Sequence, residues 1–360
     1  MACGGACVDT TISTVHCGKC DHACGAGACT ASTCQPFPVA PGFTDVRSIA
    51  SSPSGLVIAH GSDLKLCGNP DGCTQQNLAT IRAGLSQLND VTVAGTDVFF
   101  DANQGDFEIV YRCPVAGCPG TGPIEVENVV NDSIGRVVAG PSTVAWTRYQ
   151  SFYGPYSRRC DSLPGCGTVA EVLKKPTTSP TNGYYNDPAR ELTVPSKVIS
   201  VGQTTLLWAT GGVYNSNAKQ LRACPLAAGC TAGTDIDTSF GSVTALNFFN
   251  GKHYGAMFAQ SGGQVVFSVN DVNPGAPTVL VADASGITDV AVDASGIYWI
   301  NATTGKILRC ANLAGCPGSG ETLASFTPVA INPNDPRPRI ALDAKFVYWS
   351  TKTTVMKVAK

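Results

Sequence analysis

The sequence predicts an all-β protein: a seven-bladed β-propeller of four-stranded antiparallel blades, preceded by a small disulfide-rich segment. Three observations carry that prediction. The 360 residues are 43% hydrophobic and 14% charged, with 39 glycines, 23 prolines and only three methionines, a balance that suits short strands and turns and disfavours helices. From residue 35 onward a unit of four short strands recurs at the spacing of a propeller blade, roughly 40 to 60 residues. Five of those units end their third strand in cysteine, with a second cysteine just beyond. The same composition excludes a disordered chain. No apolar run is long enough to span a bilayer, which takes about 18 residues, so no membrane insertion is expected. A net charge of −2 gives no general attraction to nucleic acid or to an anionic lipid surface.

Residues 1–34 form the first element, with Cys3, Cys7, Cys17, Cys20, Cys24, Cys29 and Cys34 set among small residues. Almost nothing there can build a core, so covalent staples must hold its shape. Cys17-Gly-Lys-Cys20 invites a zinc reading, but the second pair that such a site needs is missing. Seventeen cysteines in all place the chain in an oxidising compartment, secreted or at the cell surface. The start Met1-Ala2-Cys3 carries no charged and apolar leader, and reads as a mature secreted chain without its signal peptide. The odd count leaves one cysteine with a lost partner or a free thiol. The run CGGACVDT…HCGKCDHACGAGACTASTC resembles the small cysteine-rich modules of the stigma-specific type found on bacterial secreted proteins. That resemblance implies an extracellular spacer.

Residues 35–360 form the propeller. The unit is clearest at 287–324, where ITDVAVDASG, IYWINATTG, KILRCANLAGC and ETLA read as strands a to d. Trp299 anchors strand b. Ile58, Phe100, Trp146, Trp208, Met257 and Trp349 are the matching anchors, all bulky and apolar, as positions buried between neighbouring sheets must be. One four-stranded sheet cannot bury both faces, whereas a ring of sheets can. The last unit supplies only strands a, b and c, so Pro36–Pro41 is expected to complete it and close the ring. In five blades cysteines bracket the c–d turn, giving the local disulfides Cys67–Cys73, Cys113–Cys118, Cys160–Cys166, Cys224–Cys230 and Cys310–Cys316.

Strand direction sorts the loops. The d–a and b–c connections share one end of the ring, here the top; the a–b and c–d turns share the bottom. Two top loops are rich in aromatics. One holds Arg148, Tyr149, Phe152, Tyr153 and Tyr156 in blade 3. The other holds Tyr184, Tyr185 and Asn186 ahead of blade 4, with Tyr214 in the b–c loop of blade 4. Rings with polar tips beside amides suit a glycan or a protein surface. A second candidate is the channel mouth, where strand a of most blades begins with a charge: Arg47, Asp90, Arg136, Lys197, Asp289 and Arg339.

Signs of catalysis are sparse. No G-x-S-x-G or H-E-x-x-H occurs. A lone His60 near Asp101 of the next blade is the one candidate acid/base pair, and a single surface histidine is commonplace, so no catalytic residue is assigned. Asp271 to Gly275 reads as a plain c–d turn. The segments Ile297-Tyr298-Trp299-Ile300-Asn301 and Val347-Tyr348-Trp349-Ser350-Thr351 resemble the YWTD-type propellers, and also the NHL and streptogramin-lyase-like propellers, with Asn301 and Thr351 where those motifs carry Asp. The resemblance implies the propeller fold. Its members bind proteins, glycans or small molecules, and a few are lyases or hydrolases.

An extracellular binding module for a glycan or protein, acting through the top face without a resident cofactor, is the reading these residues favour. A metal-dependent lyase or lactonase, with a divalent cation at the channel mouth, is the second. A subunit of a surface appendage, linked through its termini or Cys3, is the third.

Overall fold

The computed structural model describes the chain except residues 5, 41, 71–72, 105–106, 121, 131, 151–153, 162–165, 167–168, 174–194, 211–219, 230–233, 238–242, 260–261, 284–285, 317 and 330–337. Seven four-stranded antiparallel sheets follow one another along the chain. Blade 1 comprises Val46–Ser52, Gly55–His60, Asp63–Cys67 and Ala79–Arg82 as strands a to d. Blade 2 comprises Gln87–Ala94, Asp97–Gln104, Phe107–Pro114 and Ile124–Val130. Blade 3 runs Asp132–Ala139, Thr143–Gln150, Gly154–Asp161 and Val169–Leu173. Blade 4 runs Pro195–Val201, Thr205–Thr210, Gln220–Pro225 and Thr234–Asp237.

Blade 5 is built from Val243–Phe249, Lys252–Phe258, Gln264–Asn270 and Thr278–Asp283. Blade 6 takes Ile287–Asp293, Gly296–Asn301, Lys306–Cys310 and Glu321–Ser325. Blade 7 has Ile340–Leu342, Phe346–Ser350 and Val355–Ala359, and its fourth strand is Phe37–Ala40 from the other end of the chain. The ring therefore closes as expected. Lys357, fully buried, lies 4.6 Å from the centre of the Phe37 ring and 4.2 Å from that of Phe346. A desolvated cation between two rings ties the closing strand to blade 7.

Burial explains the ring. The apolar clusters are interfaces between successive blades: 1 with 2, 2 with 3, 3 with 4, 4 with 5, 5 with 6, and 6 with 7 and 1. Each anchor faces the preceding blade. In blades 1, 2 and 6 it pairs with the second strand-a residue after a β-bulge, as Ile58↔Ile49, Phe100↔Val91 and Trp299↔Val290 do. In blades 3 and 4 it pairs with the first residue after the irregularity, as Trp146↔Val137 and Trp208↔Ile199 do, and in blade 7 Trp349 pairs with Ile340 without one.

Blade 5 departs from the register of blades 1, 2 and 6: Met257 is buried in the blade 4–5 interface as expected of an anchor, but it pairs with Val243, ahead of the bulge. The bulge falls between Val243 and Ala245, so the anchor register belongs to Gly255, which pairs with Leu246. Its cross-strand neighbour Phe267 supplies the missing ring to the blade 4–5 interface. A Cβ on Gly255 would lie 2.6 Å from the ring tip of Phe267. The aromatic has moved one strand over, and glycine makes room for it.

Gly55 and Gly296 begin strand b with φ of 129° and 148°. A Cβ there would meet the carbonyl oxygens of Cys67 and Cys310 at 2.1 and 2.4 Å, so the close approach of strand b to the cysteine requires glycine.

Disulfides join Cys67–Cys73, Cys113–Cys118, Cys160–Cys166 and Cys310–Cys316 across the c–d turns. Cys224 is also disulfide-bonded; its expected partner Cys230 lies outside the described residues. In the N-terminal segment the bonds are Cys3–Cys20, Cys17–Cys29 and Cys24–Cys34, and the unpaired, exposed thiol is Cys7. Cys3 is thus not available as an intersubunit link.

This segment does not hang free as a spacer. Its buried cysteines share an apolar cluster with blades 6, 7 and 1. His22 places its two ring nitrogens 2.6 and 2.8 Å from the carbonyl oxygens of Cys17 and Lys360.

Candidate functional site

The two ends of the ring are built differently. At the top, strand a of blades 1 to 6 carries an irregularity in its pairing at its first turn of register. A bulge re-aims one side chain and bends the strand. In blades 1, 2, 5 and 6 one residue is displaced and it is polar (Arg47, Asn89, Thr244 and Thr288); the break spans Gly135 and Arg136 in blade 3, and Ser196, Lys197 and Val198 in blade 4.

Among the expected channel-mouth charges, three come together. Arg136 of blade 3 places Nε 3.5 Å from Asp90 Oδ2 of blade 2, and Nη2 4.0 Å from Asp289 Oδ1 of blade 6. Because blades 3 and 6 lie across the ring, this guanidinium spans the channel. Asp90 is 5% exposed and Asp289 3%. Ser48 donates to Asp90 Oδ1 at 2.6 Å, and the backbone N–H of Ile340 donates to Asp289 Oδ2 at 3.1 Å. Arg47 instead pairs with Asp45 at 2.9 Å. The backbone N–H of Arg339 donates to Ser350 Oγ at 3.1 Å. Lys197 sits on strand a of blade 4, and its side chain lies outside the described residues.

Next to this floor, Asn89 Nδ2 donates to Asp101 Oδ2 at 2.9 Å and to Glu108 Oε1 at 3.2 Å, and the Asp90 N–H donates to Asp101 Oδ1 at 2.9 Å. Burial first, then the Asp90 and Glu108 carboxylates, push Asp101 well above the usual carboxylate range, against the hydrogen bonds it accepts.

The candidate His60–Asp101 pair does not form. His60 Nε2 accepts from the Thr44 N–H at 3.3 Å and its ring packs edge-on against Phe43. Burial lowers its pKa, outweighing the neighbouring Asp45 and Asp63. A divalent cation at the mouth fits poorly as well, since Arg136 already stands between the two carboxylates. Among the described residues the one grouping of three metal-type donors is Cys17, Cys24 and Cys34, whose sulfurs are consumed in disulfides.

Among the described residues, blades 2 and 3 have the longest b–c hairpins at the top. Their b and c strands have eight residues each, against five to seven elsewhere. In blade 3 the backbone register pairs Arg148 with Tyr156 and Tyr149 with Pro155, so three of the expected contact residues sit on the long hairpin itself. Phe152 and Tyr153 at its tip, and Tyr184, Tyr185, Asn186 and Tyr214, lie outside the described residues. In blade 2 the hairpin shows Phe107, 39% exposed, a residue that the sequence reading did not single out.

The bottom holds a second constellation that the sequence did not disclose. His253, fully buried, sets Nδ1 2.9 Å from Ser200 Oγ and Nε2 3.1 Å from Asp271 Oδ1. Asp271 also accepts from the N–H groups of Gln203, Thr204 and Thr205 at 3.1, 2.9 and 3.1 Å, and from Thr204 Oγ1 at 2.9 Å. Burial lowers the His253 pKa in spite of Asp271. Burial alone would raise Asp271, yet His253 and Thr204 hold it below its ordinary value.

The spacing is that of a Ser–His–Asp relay, but Ser200 is 2% exposed and Asp271 fully buried, so no substrate reaches them. Chemically this is a cross-blade tie. It fastens the c–d turn of blade 5, which has no cysteine, to the a–b turn of blade 4. Lys360 performs a similar task between blades 6 and 7 by bonding Asp293 and the carbonyl of Asp343.

No protein-family model and no curated protein matches the sequence. Solved structures do match in fold. The chain is similar to the Dos1 propeller (TM-score 0.57, 10% identity, covering 90% of this chain and 94% of that one). It is also similar to the WD40 β-propeller domain of Doa1 (TM-score 0.54, 10% identity, 89% and 94%). The protein lmo1340 of Listeria monocytogenes EGD-e aligns with TM-score 0.54 at 6% identity over 89% of this chain and 93% of that one. Identities this low establish the shared architecture alone.

Proposed function

We propose that the protein is an extracellular binding module that recognises a glycan or protein ligand through the top face of its propeller. The observation that carries this reading is the pair of long hairpins on blades 2 and 3. They lengthen strands beyond what blade packing uses, and set aromatic and polar residues above a charged channel mouth. A ring of small sheets is a rigid platform, and its loops are the variable part on which recognition is commonly mounted.

By their place in the sequence, Phe152, Tyr153, Tyr184, Tyr185, Asn186 and Tyr214 are included in the proposed surface. The disulfides suit an oxidising space outside the cytosol. Among the described residues no helix is long and apolar enough to cross a membrane. In the YWTD-like segments, Asn301 Oδ1 accepts from the Thr304 N–H at 3.0 Å, capping the b–c turn of blade 6. A side-chain acceptor at that position suits kinship with YWTD-type propellers even though Asp is replaced.

The test is a glycan array together with an array of purified extracellular proteins, each probed with the wild-type chain and with an Arg148→Ala/Tyr156→Ala double variant. The reading expects ligands whose signal falls at least tenfold in the variant. Ligands that bind both forms equally would place the contact surface elsewhere.

A further inference from the structure

At the bottom of the ring one side chain fastens the N-terminal segment to the last strand of the chain. His22 sets Nδ1 2.6 Å from the carbonyl oxygen of Cys17, in its own loop, and Nε2 2.8 Å from that of Lys360, 338 residues away. The Cys17 N–H in turn donates to the His22 carbonyl at 2.9 Å, so the loop itself holds the ring in place. A carbonyl oxygen only accepts. A neutral imidazole carries a single N–H and serves one of the two oxygens, whereas the imidazolium carries two and serves both.

His16, in the same segment, has the opposite surroundings. Its Nδ1 accepts from the Asp21 N–H at 3.0 Å, with the Asp21 carboxylate 3.7 Å away. The neutral ring makes that bond and the imidazolium does not. Protonation thus completes the bonding of His22 and removes a bond from His16.

We propose that His22 is a pH-sensitive clasp, closed in mild acid and loosened as pH rises, that docks the N-terminal segment onto blades 6 and 7. Imidazole changes its charge between about pH 5 and 8. Below that window the clasp has both bonds, and above it one is lost. The charged groups lining the same cleft are Lys19 of the segment, Arg309 and Glu321 of blade 6, and Lys360 of blade 7. Lys360 is paired with Asp293, Arg309 faces Glu321 across strands c and d, and Lys19 is exposed to screening solvent. The two carbonyl oxygens, rather than a fixed charge beside the ring, therefore distinguish its two forms.

The clasp bears on ring closure. The segment runs into Phe37–Ala40, the strand that completes blade 7. Its buried cysteines share one apolar cluster with Trp349, Val358 and Ala359. Loosening the clasp leaves that seam less tightly covered.

The experiment is hydrogen exchange of the intact chain, read on peptides covering residues 17–34 and 355–360 at about pH 5.5 and 8 and corrected for intrinsic rates. Wild type, His22→Gln and His16→Gln are compared; three disulfides hold the segment in each. Wild-type protection of both peptides is expected to fall about fivefold from the lower pH to the higher, as for one hydrogen bond of ordinary strength. His16→Gln should keep that fall, and His22→Gln, which does not titrate, should show none. Level wild-type protection, protection that rises with pH, or an equal fall in His22→Gln would overturn the proposal. Nitrogen resonances of the His22 ring give a second reading that needs no variant. Both nitrogens should be protonated at the lower pH, and one should lose its proton over the range in which protection falls. A neutral ring at the lower pH in a fully protected segment would also overturn it.

Discussion

The bottom and top of this propeller solve opposite problems. At the bottom, the c–d turns of blades 1, 2, 3 and 6 are tied by cysteines and that of blade 5 by the Asp271 carboxylate. The Asp271 carboxylate there is saturated: its oxygens accept four N–H or O–H donors besides the His253 contact. At the top, among the described residues, no cysteine appears. Instead there are re-aimed polar side chains and long hairpins. Thr288 is 2% exposed and its hydroxyl has no hydrogen-bond partner. A buried polar atom without such a partner costs about 1–3 kcal/mol. The contrast teaches that one end is built for cohesion and the other for contact.

The strongest way to break that contrast is to cut the polar tie at the bottom. Asp271→Ala strands His253 and several backbone donors in a dry interface, and should cost about 3–5 kcal/mol, read from urea midpoints. A loss below about 1 kcal/mol would show that blade 5 does not depend on the tie. Removing a disulfide should do less. The Cys310→Ala/Cys316→Ala variant is expected to lose about 2 kcal/mol, because a loop this short constrains the unfolded chain only modestly. Gly255→Ala sharpens the account of blade 5, since the added Cβ collides with Phe267 and with the Ala245 carbonyl. Overpacking of this kind costs about 1–3 kcal/mol, whereas a glycine there by chance would tolerate alanine.

Acidity offers a gentler probe. The folded pKa of His253 lies below its ordinary 6.5, so the folded state binds that proton less readily than the unfolded chain. Its contribution is complete above about pH 6.5 and is lost as pH falls through the folded value. Asp271 is likewise lowered, from 3.8, and adds a further loss in stronger acid. In a His22→Gln background, where the N-terminal clasp does not titrate, the thermal midpoint should therefore be level near neutrality and fall between pH 7 and 5, with a shallower fall when His253→Gln is added. His60→Gln serves as the comparison, since burial lowers that group too. A midpoint that rises on acidification would contradict the sign. Smallest of all is the expected effect of Phe107→Ala on stability, within about 0.5 kcal/mol, as for an exposed residue without structural partners.

The sequence disclosed the ring well, because blade packing writes itself in repeated positions. Trp146, Trp208, Trp299 and Trp349 are fully buried where the repeat placed them, and Phe37–Ala40 closes blade 7 as the missing strand required. The register of blade 5 was misread because anchors were aligned by spacing along strand b. The true position depends on a bulge in strand a and on an aromatic in strand c, and neither leaves a periodic mark. The tie through His253 and Asp271 went unread for a related reason: their partners are backbone N–H groups and a serine some 50 to 68 residues away, and no local motif records such contacts. The channel-mouth charges were found as a set. Which of them meet was a matter of side-chain reach, settled by Arg136 alone. At the rim, attention went to tyrosines in long loops, while Phe107, lying on a regular strand, carried no loop signal.

The most direct test of the division between the ends is a paired scan that measures urea stability and glycan binding on the same set of variants. Bottom variants (Asp271→Ala, Cys310→Ala/Cys316→Ala) should lose stability and, at temperatures where they stay folded, bind as wild type does. Top variants (Phe107→Ala, Arg148→Ala/Tyr156→Ala) should lose binding at near wild-type stability. Top variants that unfold as readily as bottom ones while retaining whatever they bind would contradict it.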